Sequence, residues 1–268
     1  MNEIDNLLRL VEPLQATLYG IALSSIRIYV VFGVLPATGE QFLQGLTRSG
    51  VVVLLGAYVA FGLPADALQG LSASQWAVLV VKEGLIGLLI GFSAATVFWV
   101  AESVGAYIDT QAGYNNVQLS NPLSGQQSTP VSNLLQQLVV AMFYTLGGML
   151  VLLGALFESF KAWPLLSPLP SLSGVKEMVF LQQMDSMMTM VVKFAAPVLL
   201  VLVLIDLGFG LMTRAADKLE PSSLSQPVKG AVTMLLLALL IGVFLAQVRY
   251  ALLPHDLVTN LKSLIPVR

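Results

Sequence analysis

The chain predicts an all-α membrane protein, and three observations carry that reading. Of its 268 residues, 56% are hydrophobic and only 10% charged. Soluble domains carry roughly 25% charged residues, and a soluble body this poor in charge would expose apolar surface that associates or enters lipid. Six apolar stretches follow one another, at residues 14–35, 49–63, 76–101, 134–157, 189–212 and 228–253. They are too long for strands and lack period-two alternation. A spanning helix needs about 20 mainly apolar residues. Five of the stretches reach that length, and the second is short enough to be re-entrant or buried in protein.

Turn chemistry separates them. Pro36, Gly39, Pro64 and Gly70 punctuate the first half. Residues 115–130 are rich in Asn, Ser, Gln, Gly and Pro; residues 163–174 carry Pro164, Pro168, Pro170 and Gly174; residues 220–227 read Glu-Pro-Ser-Ser-Leu-Ser-Gln-Pro. The first residues, Met1 to Asp5, are acidic, unlike the basic start of a signal peptide, so the first apolar stretch is read as retained. Lys and Arg divide almost evenly between the two sides if all six stretches span. That balance favours some stretches not spanning.

Several function classes drop out. A net charge of −2 offers no basic stripe for nucleic acid. With no cysteine, thiolate sites and disulfides are excluded. The single histidine, His255, rules out a multi-histidine metal centre. Neither a phosphate-binding Gly-x-x-x-x-Gly-Lys-[Ser/Thr] loop nor a Gly-x-Ser-x-Gly nucleophile elbow occurs. The chain is read as non-enzymatic, with no metal and no cofactor.

Charges do occur inside the apolar stretches: Arg27, Lys82, Glu83, Lys193 and Asp206. Each costs about 2.5–3.5 kcal/mol at a bilayer centre on insertion scales. Lys193 and Asp206 lie too far apart on one helix to touch. Lys82 and Glu83 are sequence neighbours, which do not face each other on a helix. Each charge therefore needs another helix, another subunit or water, and the reading expects neighbouring polypeptides to satisfy them. The lysines could instead snorkel. Gly84, Gly87, Gly91 and Ala95 recur at helical spacing, the pattern that lets membrane helices approach closely. Pro197 reads as a kink.

Residues 82–122 hold the most informative order. A Lys82-Glu83 pair leads the glycine-striped helix, and Phe98-Trp99-Val100 precedes Gly105-x-x-Ile108-Asp109-x-Gln111-x-Gly113. An Asn/Ser/Gln loop follows and closes at Asn121-Pro122. This order resembles the SctT/FliR family, the export-gate subunits of type III secretion and flagellar export. Arg27 followed by Pro36, Gly147-Gly148, and Ser159 with Pro164 fit as well. So do Ala196-Pro197, Asp206, Gly210-Leu211-Met212-x-Arg214 and Pro227-Val228-Lys229. The chain departs from the family at Ala216-Asp217-Lys218-Leu219-Glu220, where relatives often carry Ala-Pro-Gln-Leu/Met-Asn. The Phe98-Trp99 and Ile-Asp-x-Gln runs look closer to the virulence injectisome branch.

The resemblance implies about six apolar helices arranged as tilted helical hairpins, not a conventional self-contained transmembrane bundle. Residues 1–188 would be similar to SctR/FliP-type subunits, 189–253 to a SctS/FliQ-type hairpin with its tip at 214–227, and 254–268 a tail. The partners implied are those two subunit types, a SctU/FlhB-type switch subunit, membrane lipid, and unfolded secreted proteins passing through. The place implied is the bacterial inner membrane, multi-pass, within the secretion-system base. Non-helical backbone at membrane depth survives only if buried or lining water. The 109–122 loop is therefore the expected plug, with Asp109, Gln111, Gly113, Tyr114, Asn115, Asn116, Ser120, Asn121 and Pro122 as its residues. Arg27, Lys82, Glu83, Asp206, Arg214, Lys218 and Lys229 are the expected subunit or lumen contacts, and Gly84, Gly87 and Gly91 the packing positions. A rival reading makes Glu83, Asp206 and Arg27 the midplane site of a self-contained secondary transporter.

Overall fold

A computed structural model describes residues 2–40, 42–64, 68, 70–114, 119–120, 127–167, 177–215 and 221–252. Its helices are α1 (Asn2–Val34), α2 (Gly45–Ala60), α3 (Ala73–Ala112), α4 (Pro130–Thr145), α5 (Gly148–Ala162), α6 (Glu177–Ala215) and α7 (Pro221–Leu252), with a 3-10 turn at Pro36–Thr38. The one strand pairing among the described residues is a two-residue antiparallel match of Leu119–Ser120 with Gln127–Ser128. All six apolar stretches fall on helices, as an all-α membrane protein requires.

Among the described residues four helices are long and apolar enough to cross a membrane, or five if the bent pair α4 and α5 counts as one span. At 16 residues α2 is too short. At about 1.5 Å per residue the 40-residue α3 is roughly 60 Å long, twice the hydrocarbon thickness of a bilayer. The fourth stretch, read as one helix, is two. Gly147 has φ +75°, the left-handed conformation that ends a helix and that only glycine adopts without strain. The chain restarts as α5 at Gly148.

Described residues group into two compact units. The first joins the chain up to Ala95 with Met149–Val179; the second joins Thr96–Gly148 with Phe180–Asp256. In the first, α1 and α2 form an antiparallel hairpin, and the Ser24 hydroxyl donates to the Gly56 carbonyl at 2.8 Å. The first half of α3 runs alongside α1 in the same direction. A Cβ on Gly87 would sit 2.6 Å from the Arg27 carbonyl oxygen, and one on Gly91 3.1 Å from Val34 Cβ. Those two glycines create the close approach that the small-residue stripe predicts. Gly84 makes no such approach within the chain, where a Cβ would meet nothing within 4 Å. Leu23, Leu68, Leu79 and Leu165 form a core, with Ile26, Trp76 and Phe160 packed against it.

In the second unit, α4 folds back antiparallel on the second half of α3. Gly105 lies directly on the Ser132 backbone with no room for a side chain. The Phe98 and Phe143 rings meet edge to face at 5.4 Å. α6 and α7 form an antiparallel hairpin, with Phe194 and Phe244 5.2 Å apart near one end and Asp206 and Lys229 paired near the other. The helix α6 itself begins at Glu177, in turns carrying Gln and Asp that an apolar stretch counted from residue 189 does not include.

Candidate functional site

The first polar cluster lies inside the first unit. Arg27 on α1 and Glu83 on α3 form a two-pronged ion pair. Nε donates to Oε2 at 2.7 Å and Nη2 to Oε1 at 3.0 Å. Arg27 Nη1 also donates to the Ser159 hydroxyl at 2.9 Å, and Nη2 to the Trp163 carbonyl at 2.9 Å. The Phe160 ring lies 3.9 Å from the guanidinium carbon, close enough for a cation–π contact. The Lys82 ammonium contacts Glu83 Oε1 at 3.1 Å and donates to the carbonyls of Pro164, Leu165 and Ser167 at 2.9, 2.7 and 3.1 Å. All three charged residues are at most 1% exposed.

The cluster holds two cations and one carboxylate. The excess positive charge faces carbonyls at and just beyond the C-terminal end of α5, where the helix dipole is negative. Buried charge is tolerated when paired and hydrogen-bonded in this way.

Two expectations fail here. Lys82 and Glu83, as sequence neighbours, were not expected to touch, yet their charges meet. The neighbour rule describes Cβ directions, whereas the four-carbon lysine stem carries its ammonium round the helix. Nor do Arg27, Lys82 and Glu83 need another polypeptide: α5 and the turn after it satisfy them. The missed partners are Ser159 and the 163–167 carbonyls. Backbone acceptors leave no composition signal, although Pro164 and Ser159 mark the place.

The second cluster surrounds the end of α3, inside the second unit. Asp109 was read as the first residue of the loop, but α3 continues through Ala112. Asp109 is fully buried. Its carboxylate accepts from the Val131 amide at 2.9 and 3.2 Å and from the Ser132 amide at 3.0 Å. These are free amides in the first turn of α4, which begins with Pro130 after Thr129. Thr129 supplies no side-chain cap, so a carboxylate from the previous helix satisfies amides that a capping side chain normally would.

Across the hairpin, Gln111 Nε2 donates to Asp206 Oδ2 at 2.9 Å, and the Ser225 hydroxyl to Oδ1 at 3.3 Å. The Lys229 ammonium pairs with Asp206 Oδ1 at 3.0 Å and donates to the Gln111 carbonyl at 3.1 Å. Gln226 Nε2 donates to the Gly113 carbonyl at 2.9 Å. Side chains from α7 thereby cap the last carbonyls of α3, a favourable place for a cation. Gly113 has φ +84°, and a Cβ there would press on the Gln226 side chain at 3.2 Å. Tyr114 follows in a 3-10 turn, its hydroxyl against Gly230. Asp206 also finds its partner within the chain, against expectation.

The loop is therefore tied at both roots, by Lys229 and Gln226 before it and by Asp109 after it. Ser120 stands in the short strand pair. Asn115, Asn116, Asn121 and Pro122 lie outside the described residues, as does Lys218. Arg214 is exposed in the last turn of α6. The expected tip at 214–227 is shorter than read, because α7 already begins at Pro221. Arg27 and Glu83 occupy each other in a buried pair, so two of the three residues of the transporter reading are engaged, while Asp206 is partly exposed.

The family model described as "Bacterial export proteins, family 1" matches residues 18–253. "Yop proteins translocation protein T" of Yersinia pestis is 35% identical over 214 residues, covering 80% of this chain and 82% of that protein. "Surface presentation of antigens protein SpaR" of Salmonella typhimurium is 27% identical over 223 residues, 81% of each chain. "Flagellar biosynthetic protein FliR" of Bacillus subtilis is 25% identical over 245 residues, 90% of this chain and 94% of that one. Identity is thus higher toward the injectisome relative than toward this flagellar one. A multi-pass membrane protein with a role in protein export, the chain belongs to the bacterial export proteins, family 1, the SctT/FliR family of type III secretion.

Proposed function

We propose that this chain is a non-catalytic core subunit of the export gate, and that the loop between α3 and α4 is its plug. The observation that carries the reading is the anchoring of that loop. Its upstream root is held by Lys229 and Gln226, and its downstream root by buried Asp109. A plug has to be polar, to sit in water, and fixed at its base, to return after each passage. Between α3 and α4 the chain carries no charge and is rich in Asn, Ser and Gln, with Val117, Leu119 and Leu123 interspersed, so it offers a passing chain no charged contact.

In this reading the chain joins SctR/FliP-type and SctS/FliQ-type subunits in the bacterial inner membrane, within the secretion-system base. Residues 1–188 play the SctR/FliP-like part and 189–253 the SctS/FliQ-like hairpin. Unfolded secreted proteins pass along the shared axis. Helices of 40 and 39 residues exceed what a bilayer needs, which suits a body that extends beyond the membrane plane. Arg214, in the last turn of α6, and Lys218 face a SctU/FlhB-type switch subunit in this reading. Charge reversal at both that left co-purification with that subunit and secretion intact would remove this contact from the account.

Leakage tests the plug. Cells assembling the complete system with residues 115–122 deleted, or with Gly113→Leu, are expected to lose membrane tightness to small solutes while the chain still co-purifies with its two hydrophobic partners. Wild-type tightness together with wild-type secretion in both variants would refute it.

A further inference from the structure

We infer that the second unit carries a binding site for one acyl chain of an anionic phospholipid, with Lys193 as its headgroup contact. A cavity of about 170 Å³ opens among α3, α4, α6 and α7, lined by Ile108, Leu135, Phe194, Leu237, Phe244 and Lys193. An apolar cavity of about 150 Å³ admits a benzene ring and stays dry. This one takes a few methylene groups, with the rest of the ligand outside. Its walls are almost wholly apolar, and Lys193 is the one charged residue lining it.

Charge complementarity selects the occupant. Lys193 is exposed and forms no ion pair among the described residues. A lysine within the hydropathic window Leu181–Arg214 of α6 needs an anion or water. Pro197, also on the cavity wall, has no N–H to give the Lys193 carbonyl four residues earlier. One residue therefore offers both an unpaired ammonium and a carbonyl without its helical donor, beside a slot for hydrocarbon. An anionic phosphate on an aliphatic tail matches the ammonium and the slot, and the carbonyl, an acceptor, is matched by a headgroup that also brings a hydroxyl donor, as phosphatidylglycerol does. A neutral tail leaves the ammonium unpaired, and a free phosphate leaves the slot empty.

The test is native mass spectrometry of the full-length chain, in the assembly in which it leaves the membrane, after exchange into nanodiscs of equal parts phosphatidylglycerol and phosphatidylcholine. The wild type is expected to retain phosphatidylglycerol in preference. Lys193→Gln should lower that retention roughly fivefold, the weight of one basic residue at an anionic lipid surface, and Lys193→Arg should restore it. Val243→Trp, at the exposed rim of the cavity, should displace the lipid without loss of the assembly. Equal retention of both lipids, no retained lipid, or unchanged retention in Lys193→Gln and Val243→Trp would each overturn the site. So would loss of a protein subunit rather than of lipid from Val243→Trp, since the cavity would then be a subunit contact. None of these outcomes bears on the plug.

Discussion

The two polar clusters are built from similar parts and differ in what surrounds them. In the first unit the side chains of the Arg27–Glu83 pair are wholly inaccessible to water, and the guanidinium and the Lys82 ammonium are matched to named acceptors. In the second, the Lys229–Asp206 pair is 14% and 38% exposed and holds the end of a helix beside the loop. Burial decides the role. A closed cluster contributes little net energy when formed and costs much when one member is removed. A half-exposed one is cheap to break and re-form, which the proposed gate requires of its root. The comparison teaches that a charge in a greasy helix is not by itself a functional contact. What matters is whether its environment leaves it a way out.

Four substitutions sharpen or break that contrast. Glu83→Gln should have the largest effect, because it leaves two cations buried without their carboxylate. Unfolding stability in detergent should fall by about 3–5 kcal/mol, and a loss below about 1 kcal/mol would show that the cluster is open to water. Gly105→Val comes next, since any side chain strikes the Ser132 backbone. Overpacking of this kind costs about 1–3 kcal/mol, measured by the same melt, and an unchanged melt would mean that α3 and α4 are not in contact. Asp109→Ala strands the first amides of α4, which costs about 1–3 kcal/mol. Hydrogen exchange should rise at Val131 and Ser132 before it rises elsewhere, whereas uniform exchange would deny the clamp.

Lys229→Met should have the smallest effect on stability, under about 1 kcal/mol. It should still raise small-solute leakage, because it frees the upstream root of the loop. A variant that lost several kcal/mol with no change in leakage would put Lys229 with the closed cluster.

The apolar helices were legible because hydropathy over about 20 residues is a strong signal, and Gly87 and Gly91 were legible because small residues at helical spacing have few other uses. Three features were not. The break at Gly147 was hidden by the apolar residues on both sides, which keep the stretch continuous in hydropathy. Asp109 looked like the start of a loop because Asp, Gln and Gly cluster there; only the fold shows that its carboxylate reaches forward to α4. The partners of Arg27, Lys82 and Asp206 were invisible because they come from remote positions and from backbone carbonyls. The expectation that neighbouring subunits satisfy these charges therefore fails, while membership of the export family rests on motif order and on the match over residues 18–253.

Photo-cross-linking of a passenger protein stalled in transit tests the central claim most directly, with the reactive amino acid placed at residue 116 and, as control, at Leu54, which is exposed on α2. The account expects passenger adducts from residue 116, none from residue 54, and loss of the residue 116 adducts when no passenger is trapped. A trapped passenger that reaches neighbouring gate subunits and never residue 116 would contradict it.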